Sequence, residues 1–450
     1  MAGLVIIGFD FGMALTKCAV AIQPPNQTVL ERVVVAFQDP DGEECFYLPS
    51  RVWTNSESIS LNKDDLHGDV DCRPELKRLL LEAWSGADTA VMPGVLVTEC
   101  AFFLLTRILA RVRRAVDSHL RREYPGATWT WMVNAATPCE RNMLDEENAR
   151  EEQMKQLMAQ VLAFVEQYPN IDGASRHVGL RAEVAQAKQL AQRNATARRV
   201  TVVRESLAAA LFALQADDAV AGTWLTVDVG ALTTDTSLFF FSPETGPDDV
   251  VFRIAAYYAM TSAEGGMQLV ATALMQHDHV PPHVVDATIG ALSAEELESM
   301  EAFTSLTTIV SGSIANTLRI ATAAEDWYDH LFSDNGLERE CQFRLLLVGG
   351  GSCVPAMITF FQQWNWHVLA HVPPDVVEAR IPQAFGVLSA DGVVDHDTHP
   401  HSSDHPILSI ACGLAQQPWE MPRFDNLPLD PDRRRVHPPE RADPPWWGGN

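Results

Sequence analysis

Basic residues are scarce in this 450-residue chain: 33 lysines and arginines stand against 59 acids, a formal charge of −26. That balance disfavours nonspecific binding to nucleic acid or anionic membrane, and a polyanionic partner would need a local basic patch. No apolar run approaches membrane-spanning length. The opening MAGLVIIGFDFG lacks a basic flank and is cut by Asp10, so it reads as a strand and not as a signal peptide. The eight cysteines include no C-x-x-C pair, which indicates neither a zinc ribbon nor a disulfide framework and suits a reducing cytoplasm. What the chain does have is length for two or three domains and 47% hydrophobic residues, enough for full-sized cores.

The stretch that organises the rest is LTVDVGALTTDTSLFFF, residues 225–241. An apolar strand ends at Asp228, turns at Gly230 and resumes as a second apolar strand past Asp235. Alone it reads equally well as a hairpin with a polar turn or as a site for phosphate and its metal. Residues 4–22 repeat the pattern: an apolar strand, Asp10, a turn at Gly12, then Thr16, Lys17 and a second apolar run. Two such units 218 residues apart (228 − 10) imply related halves facing one ligand, each offering backbone N–H groups to phosphate oxygens. Lys17 adds a phosphate cation.

Between and beyond these turns the pattern is mixed α/β. Asp39-Pro40-Asp41-Gly42 is a turn, and residues 56–71 read as an outward polar loop. PELKRLLLEAW (74–84) is a short amphipathic helix whose Lys77 reads on composition as solvated. Residues 95–120 form a long helix, with Arg107, Arg111, Arg113 and Arg114 on an exposed face that is either solvated or a dock for an acidic partner. A strand at 128–135 precedes a helix opened by Asp145, Glu146 and Glu147, and VTVVRESLAAALFAL (200–214) runs from strand to alanine-rich helix at Glu205.

After the organising stretch, Glu264-Gly265-Gly266 opens a helix over 267–275 whose N-terminal amides are placed to meet phosphate. Ser293 begins a capping box ahead of largely helical sequence, and a strand at 343–348 runs into Gly349-Gly350-Gly351-Ser352, where a flat group can lie against the backbone. IPQAFGVL (381–388) and HPILSIACGLA (405–415) each read as small-residue helices. Two histidine groups, His277, His279 and His283, and His396, His399, His401 and His405, suit loops, with metal binding as the alternative. The proline-rich tail at 416–450 cannot support a packed domain; its Trp446 and Trp447 suit a docking motif or a fold-back.

In this order, IGFDFG, VRESLAAAL, VDVGALTTDTSL, EGGMQL and LLVGGGSCVPAM resemble the nucleotide-binding core shared by actin, sugar kinases and the seventy-kilodalton heat-shock chaperones, the chaperones above all. The resemblance covers roughly residues 4–415. It implies a duplicated actin-like, ribonuclease-H-like α/β fold with two lobes around a nucleotide cleft, an N-terminal lobe at 1–200 and a C-terminal lobe at 201–415. It further implies that Asp10 and Asp228 hold hydrated magnesium, that Glu205 and Thr233 place the attacking water, and that Asp235 supports that site. Lys77 matches the chaperones' catalytic lysine. Gly12, Thr16, Lys17, Gly230, Thr234, Gly265, Gly266, Gly349, Gly350, Gly351 and Ser352 would contact ATP or ADP.

Where the chaperones carry hydroxyl and glycine residues in the two phosphate loops, this chain has Met13, Ala14, Ala231 and Leu232. Fewer donors face the phosphates, so slow hydrolysis or binding alone is expected. The chaperones' separate β-rich peptide-binding module is not expected in the residues after 415, so chaperone activity on unfolded peptides is not expected either. The expected activity is ATP binding with slow Mg-dependent hydrolysis, used as a conformational switch for a protein partner. The alternatives are a non-hydrolysing scaffold, an actin-like filament and a small-molecule kinase.

Overall fold

The computed structural model describes residues 2–28, 30–38, 44–73, 76–86, 90–92, 95–137, 144–215, 222–245, 250–280, 288–289, 292–322, 342–364, 375–382, 384–401 and 404–416. The turn at 39–42, His283 and the tryptophans of the tail fall outside them. Contacts divide the chain into two units: Met1–Pro138, Asn142–Ala208 and Ile381–Pro418 form the first, and Cys139–Arg141, Ala209–Arg380 and Trp419–Asn450 the second.

The first unit opens with an antiparallel meander of β1 (Gly3–Phe11), β2 (Leu15–Gln23) and β3 (Glu31–Val35). After α1 (Leu76–Ser85) and α2 (Val97–Glu123), β4 (Trp129–Thr137) pairs parallel to β1. Then α3 (Leu144–Gln167) and α4 (His177–Arg193) lead to β5 (Val200–Arg204), which pairs parallel to β4 and runs straight into α5 (Glu205–Ala213). β1 is almost wholly buried, which is why its sequence is a continuous apolar run. Its Val5, Ile7, Phe9 and Phe11 join a core with α2 and α3; period-two alternation therefore puts Ile6, Gly8 and Asp10 on the other face.

Two expectations are corrected here. The segment read as an outward loop at 56–71 supplies Ser58–Ser60 to a separate four-stranded sheet, anchored by the fully buried Ile59; three residues are too few to show a period. The arginines of α2 are not a free charged face. Arg107 is 1% exposed and bonds Glu183 (3.1 Å) and Ser175 (2.6 Å), while Arg111 (3.2 Å) and Arg114 (2.7 Å) both pair with Asp172. Desolvation would raise the Asp172 pKa, but the two guanidiniums and the Gly173 N–H together hold it below the ordinary carboxylate value.

The second unit repeats the strand order. β6 (Gly222–Val229), β7 (Thr233–Thr245) and β8 (Val250–Glu264) form a meander, and after α6 (Gln268–His277) and α7 (Glu301–Thr322), β9 (Gln342–Val348) pairs parallel to β6. Beyond α8 (Pro355–Gln363), β10 (Asp375–Glu378) pairs parallel to β9. Each unit thus reads third, second, first, fourth, fifth strand across its sheet. Leu225, Val227 and Val229 pack with α7 and α8, which leaves Asp228 on the opposite face, the same parity as Asp10. The Ser293 capping box is present: Ser293 Oγ accepts from Glu296 N–H (3.2 Å), and Glu296 Oε2 accepts from Ser293 N–H (2.8 Å).

Residues 381–418 group with the first unit. IPQAFGVL is not a helix: it contains β11 (Phe385–Leu388), fully buried and parallel to β3, followed by β12 (Val394–Asp395). A short apolar run looks alike as buried strand and buried helix, and pairing partners decide. The other candidate is α9 (His405–Leu414), which packs on β1 and β2 over Gly8, where any Cβ would collide with Ala411 O. Asn134 of β4 donates to Leu414 O (2.7 Å) and Gln416 O (2.8 Å), satisfying carbonyls at the end of α9.

Candidate functional site

In the second unit the turn joining β6 to β7 is closed by Gly230 N–H donating to Thr233 O (2.9 Å). Its own carbonyls face the following glycine turn. Gly265 N–H donates to Leu232 O (2.8 Å), Met267 N–H to Gly230 O (3.0 Å) and Gln268 N–H to Ala231 O (2.8 Å). Thr234 Oγ1 adds a bond to Gly265 O (2.8 Å), and a Cβ on Gly266 would collide with Gly230 O. The first amides of α6, expected at a phosphate, are therefore spent in holding the turn. With its carbonyls tied down on one side, the turn's Ala231 and Leu232 N–H groups find no acceptor among the described residues.

Asp228 stands opposite Asp235 in the ladder, and a carboxylate oxygen of each lies within 4.8 Å of the other. Asp228 is partly buried, Asp235 is buried, and Thr233 Oγ1 donates to Asp235 Oδ2 (3.3 Å). Hard oxygen donors at this spacing suit a magnesium-like cation with its water shell. Gly349, at φ 81°, lies against Asp228: a Cβ there would collide with Asp228 Oδ1 and sit 2.8 Å from Val229 O. Gly351 is likewise pressed on Val229, and Ser352 is buried with its hydroxyl on Val348 O. Of the three consecutive glycines, Gly350 is the one whose missing side chain faces open space.

The first unit carries the same turn with a cation in place of the second carboxylate. Gly12 N–H donates to Leu15 O (3.1 Å), and Met13 and Ala14 N–H groups find no acceptor among the described residues. Asp10, 2% exposed, stands opposite Lys17 and pairs with its Nζ at 2.6 Å. Thr16 is fully buried and its hydroxyl bonds Ser50 Oγ (2.8 Å). Thr16 and Thr234 are thus pinned inside their units.

Lys77 and Glu205, 128 residues apart, form a buried ion pair. Lys77 is 1% exposed, so the composition-based reading of a solvated lysine is overturned. It sits in the first turn of α1, and Glu205 opens α5 at the end of β5. No local sequence pattern signals the pairing, although the family resemblance assigns both residues to one site. The free amides, which belong to the backbone, had no signal either. The exchange of Lys17 for Asp235 did have one, since the two turns align without a gap and set these residues against each other.

No protein-family model and no curated protein matches the chain. Among solved structures it is similar to MreB5 of Spiroplasma citri bound to ADP, over 92% of this chain and 95% of the other, at 14% identity and a TM-score of 0.41. The duplicated architecture rests on the matching ladders of the two units and not on that likeness.

Proposed function

We propose that the protein binds ATP with magnesium and hydrolyses it slowly, the change of nucleotide serving as a switch toward a protein partner. The repeated turn carries this reading: two strand pairs with an aspartate at the same register, the same glycine closure and unspent amides at its tip. Such a nest of N–H groups beside carboxylates and a lysine fits a polyphosphate and its cation better than it fits a neutral ligand. Asp228 and Asp235 would hold the hydrated metal, which when bound neutralises phosphate charge. In the second unit the amides of 231 and 232 would meet phosphate oxygens; the first unit's own turn offers the amides of 13 and 14, beside a Lys17 already paired with Asp10. Gly350 would border the nucleoside.

Calorimetric titration with ATP, ADP and a nonhydrolysable analogue, with and without magnesium, tests the reading. Saturable magnesium-dependent binding that Asp228→Ala removes is expected; absence of binding, or identical affinity in the variant, sinks it.

One observation favours binding without turnover. The Glu205 carboxylate is engaged by Lys77, so the group assigned to position water already has a buried partner. A single-turnover assay separates the readings: product yield no higher than in Glu205→Ala means a nucleotide-dependent scaffold.

A further inference from the structure

One stretch departs sharply from the acidity of the chain. Residues 173–204 hold seven of the 33 lysines and arginines and one of the 59 acids, so a local basic patch stands on a protein of formal charge −26. The stretch is α4 with its flanks, within the first unit, and α4 buries only Leu180 and Ala187.

The acids around α4 are engaged from the inner side. Arg107 and Ser175 hold Glu183, the one acid of the stretch, and Arg111 and Arg114 hold Asp172 just before it. Toward the other end, Arg199 binds Glu166 (2.7 Å) and Arg204 binds Glu151 (3.2 Å), both on α3. Arg181 has Glu99 at 3.8 Å, a carboxylate whose other oxygen accepts from Leu96 N–H (3.0 Å). The four remaining cations, Arg176, Lys188, Arg193 and Arg198, are exposed and have no ion pair among the described residues. Because arginines of α2 neutralise the neighbouring acids, the positive charge of α4 stays at the surface.

Helical period sorts the outer face. Arg181 and Lys188, two turns and about 10.5 Å apart along the axis, lie in one row with the exposed Ala185 between them. Val178, 80% exposed, and the exposed Ala182 lie in the next row, with Arg193 beyond them. The face is thus small and apolar at its centre, cationic at both edges and without an acid. We infer that it docks an acidic helix of a protein partner. Apolar residues of that helix would pack on Val178, Ala182 and Ala185, and carboxylates spaced by two turns would meet Arg181 and Lys188; complementarity of charge selects the partner. A single helix fits within the patch, whereas a long polyanion would run off it onto a surface that repels it. Nor does α4 carry a Phe, Tyr or Trp on which a base could stack. The inference gives a chemistry to the partner of the proposed switch, and it stands if the nucleotide reading falls.

The test titrates the full-length protein, without nucleotide, into a fluorescein-labelled synthetic helix that repeats glutamate at every seventh position on an alanine and leucine background. Saturable binding that weakens as salt rises is expected. Arg181→Glu/Lys188→Glu should weaken it at least about tenfold, whereas Arg121→Glu, which reverses an exposed cation in the last turn of α2, should leave it unchanged. These are surface changes, and urea unfolding verifies that the variants fold. Absence of saturable binding, or binding unchanged in the double variant, overturns the inference. So does tighter binding of a single-stranded oligonucleotide or of phosphatidylserine vesicles that the double variant loses, which would give the patch to nucleic acid or to membrane. With no nucleotide present, each of these outcomes is separate from the result of the ATP titration.

Discussion

The turns at Asp10 and Asp228 align without a gap over eight residues, from Asp10–Lys17 to Asp228–Asp235, and differ most where their side chains face each other across the ladder. In the first, the aspartate meets a lysine; in the second it meets another aspartate. The backbone treats both alike, with glycine closure and two unspent amides at the tip. The chemistry does not. The first turn sets its aspartate against a cation, whereas the second sets two carboxylates side by side, a donor pair suited to a bound cation. One repeated scaffold thus supports a structural ion pair in one unit and a candidate metal site in the other.

The largest effect that sharpens this contrast is on stability. Lys17→Met strands the buried Asp10 carboxylate, and should lower stability by about 3–5 kcal/mol, read from the urea unfolding of the full chain. An unchanged midpoint would break the idea that the first pair is structural. Asp228→Asn should act in the opposite sense. Nucleotide affinity is expected to fall at least about 100-fold, near 2.8 kcal/mol, while the unfolding midpoint holds or rises because carboxylate repulsion is relieved. A destabilised Asp228→Asn protein that still binds nucleotide would reverse the assignment.

Glycine substitutions probe the backbone half of the comparison. A Cβ on Gly12 would sit 2.5 Å from Leu15 O, against 3.1 Å from Thr233 O for Gly230. Gly12→Ala should therefore cost about 1–3 kcal/mol and Gly230→Ala less than about 1. Equal costs would mean that the turns are not tight to different degrees. The smallest effect concerns Cys18, which aligns with Thr236. Burial first, and then the charge of Asp10, pushes the Cys18 thiol well above its ordinary pKa, with Lys17 partly opposing. It stays protonated and shielded, so alkylation followed by mass spectrometry should leave it unmodified in the native protein at pH 8; rapid labelling would show that the first turn opens.

Much of the fold was legible. The strands around 228 and 10, the helix opening at Glu205 and the Ser293 cap all follow from apolar period, turn residues and capping chemistry, which are local. IPQAFGVL misled because a four-residue buried strand has no period to distinguish it from a helix, and its identity as β11 depends on β3, some 350 positions earlier. The arginines of α2 misled for a related reason: charge predicts exposure unless partners such as Glu183 and Asp172 arrive from elsewhere in the chain.

The sequence by itself determined that Asp10 and Asp228 end buried strands at glycine turns, because alternation and the need for close backbone approach at Gly12 and Gly230 are written in neighbouring residues. It also contained, in register, the exchange of Lys17 for Asp235. Only the tertiary structure decided which amides remain available. The N-terminus of α6 reads as a phosphate site in isolation, yet its N–H groups hold the carbonyls of residues 230 and 231, and those bonds aim the turn. The pairing of Lys77 with Glu205 was likewise settled by packing, since such contacts join residues whose separation along the chain carries no information about their separation in space.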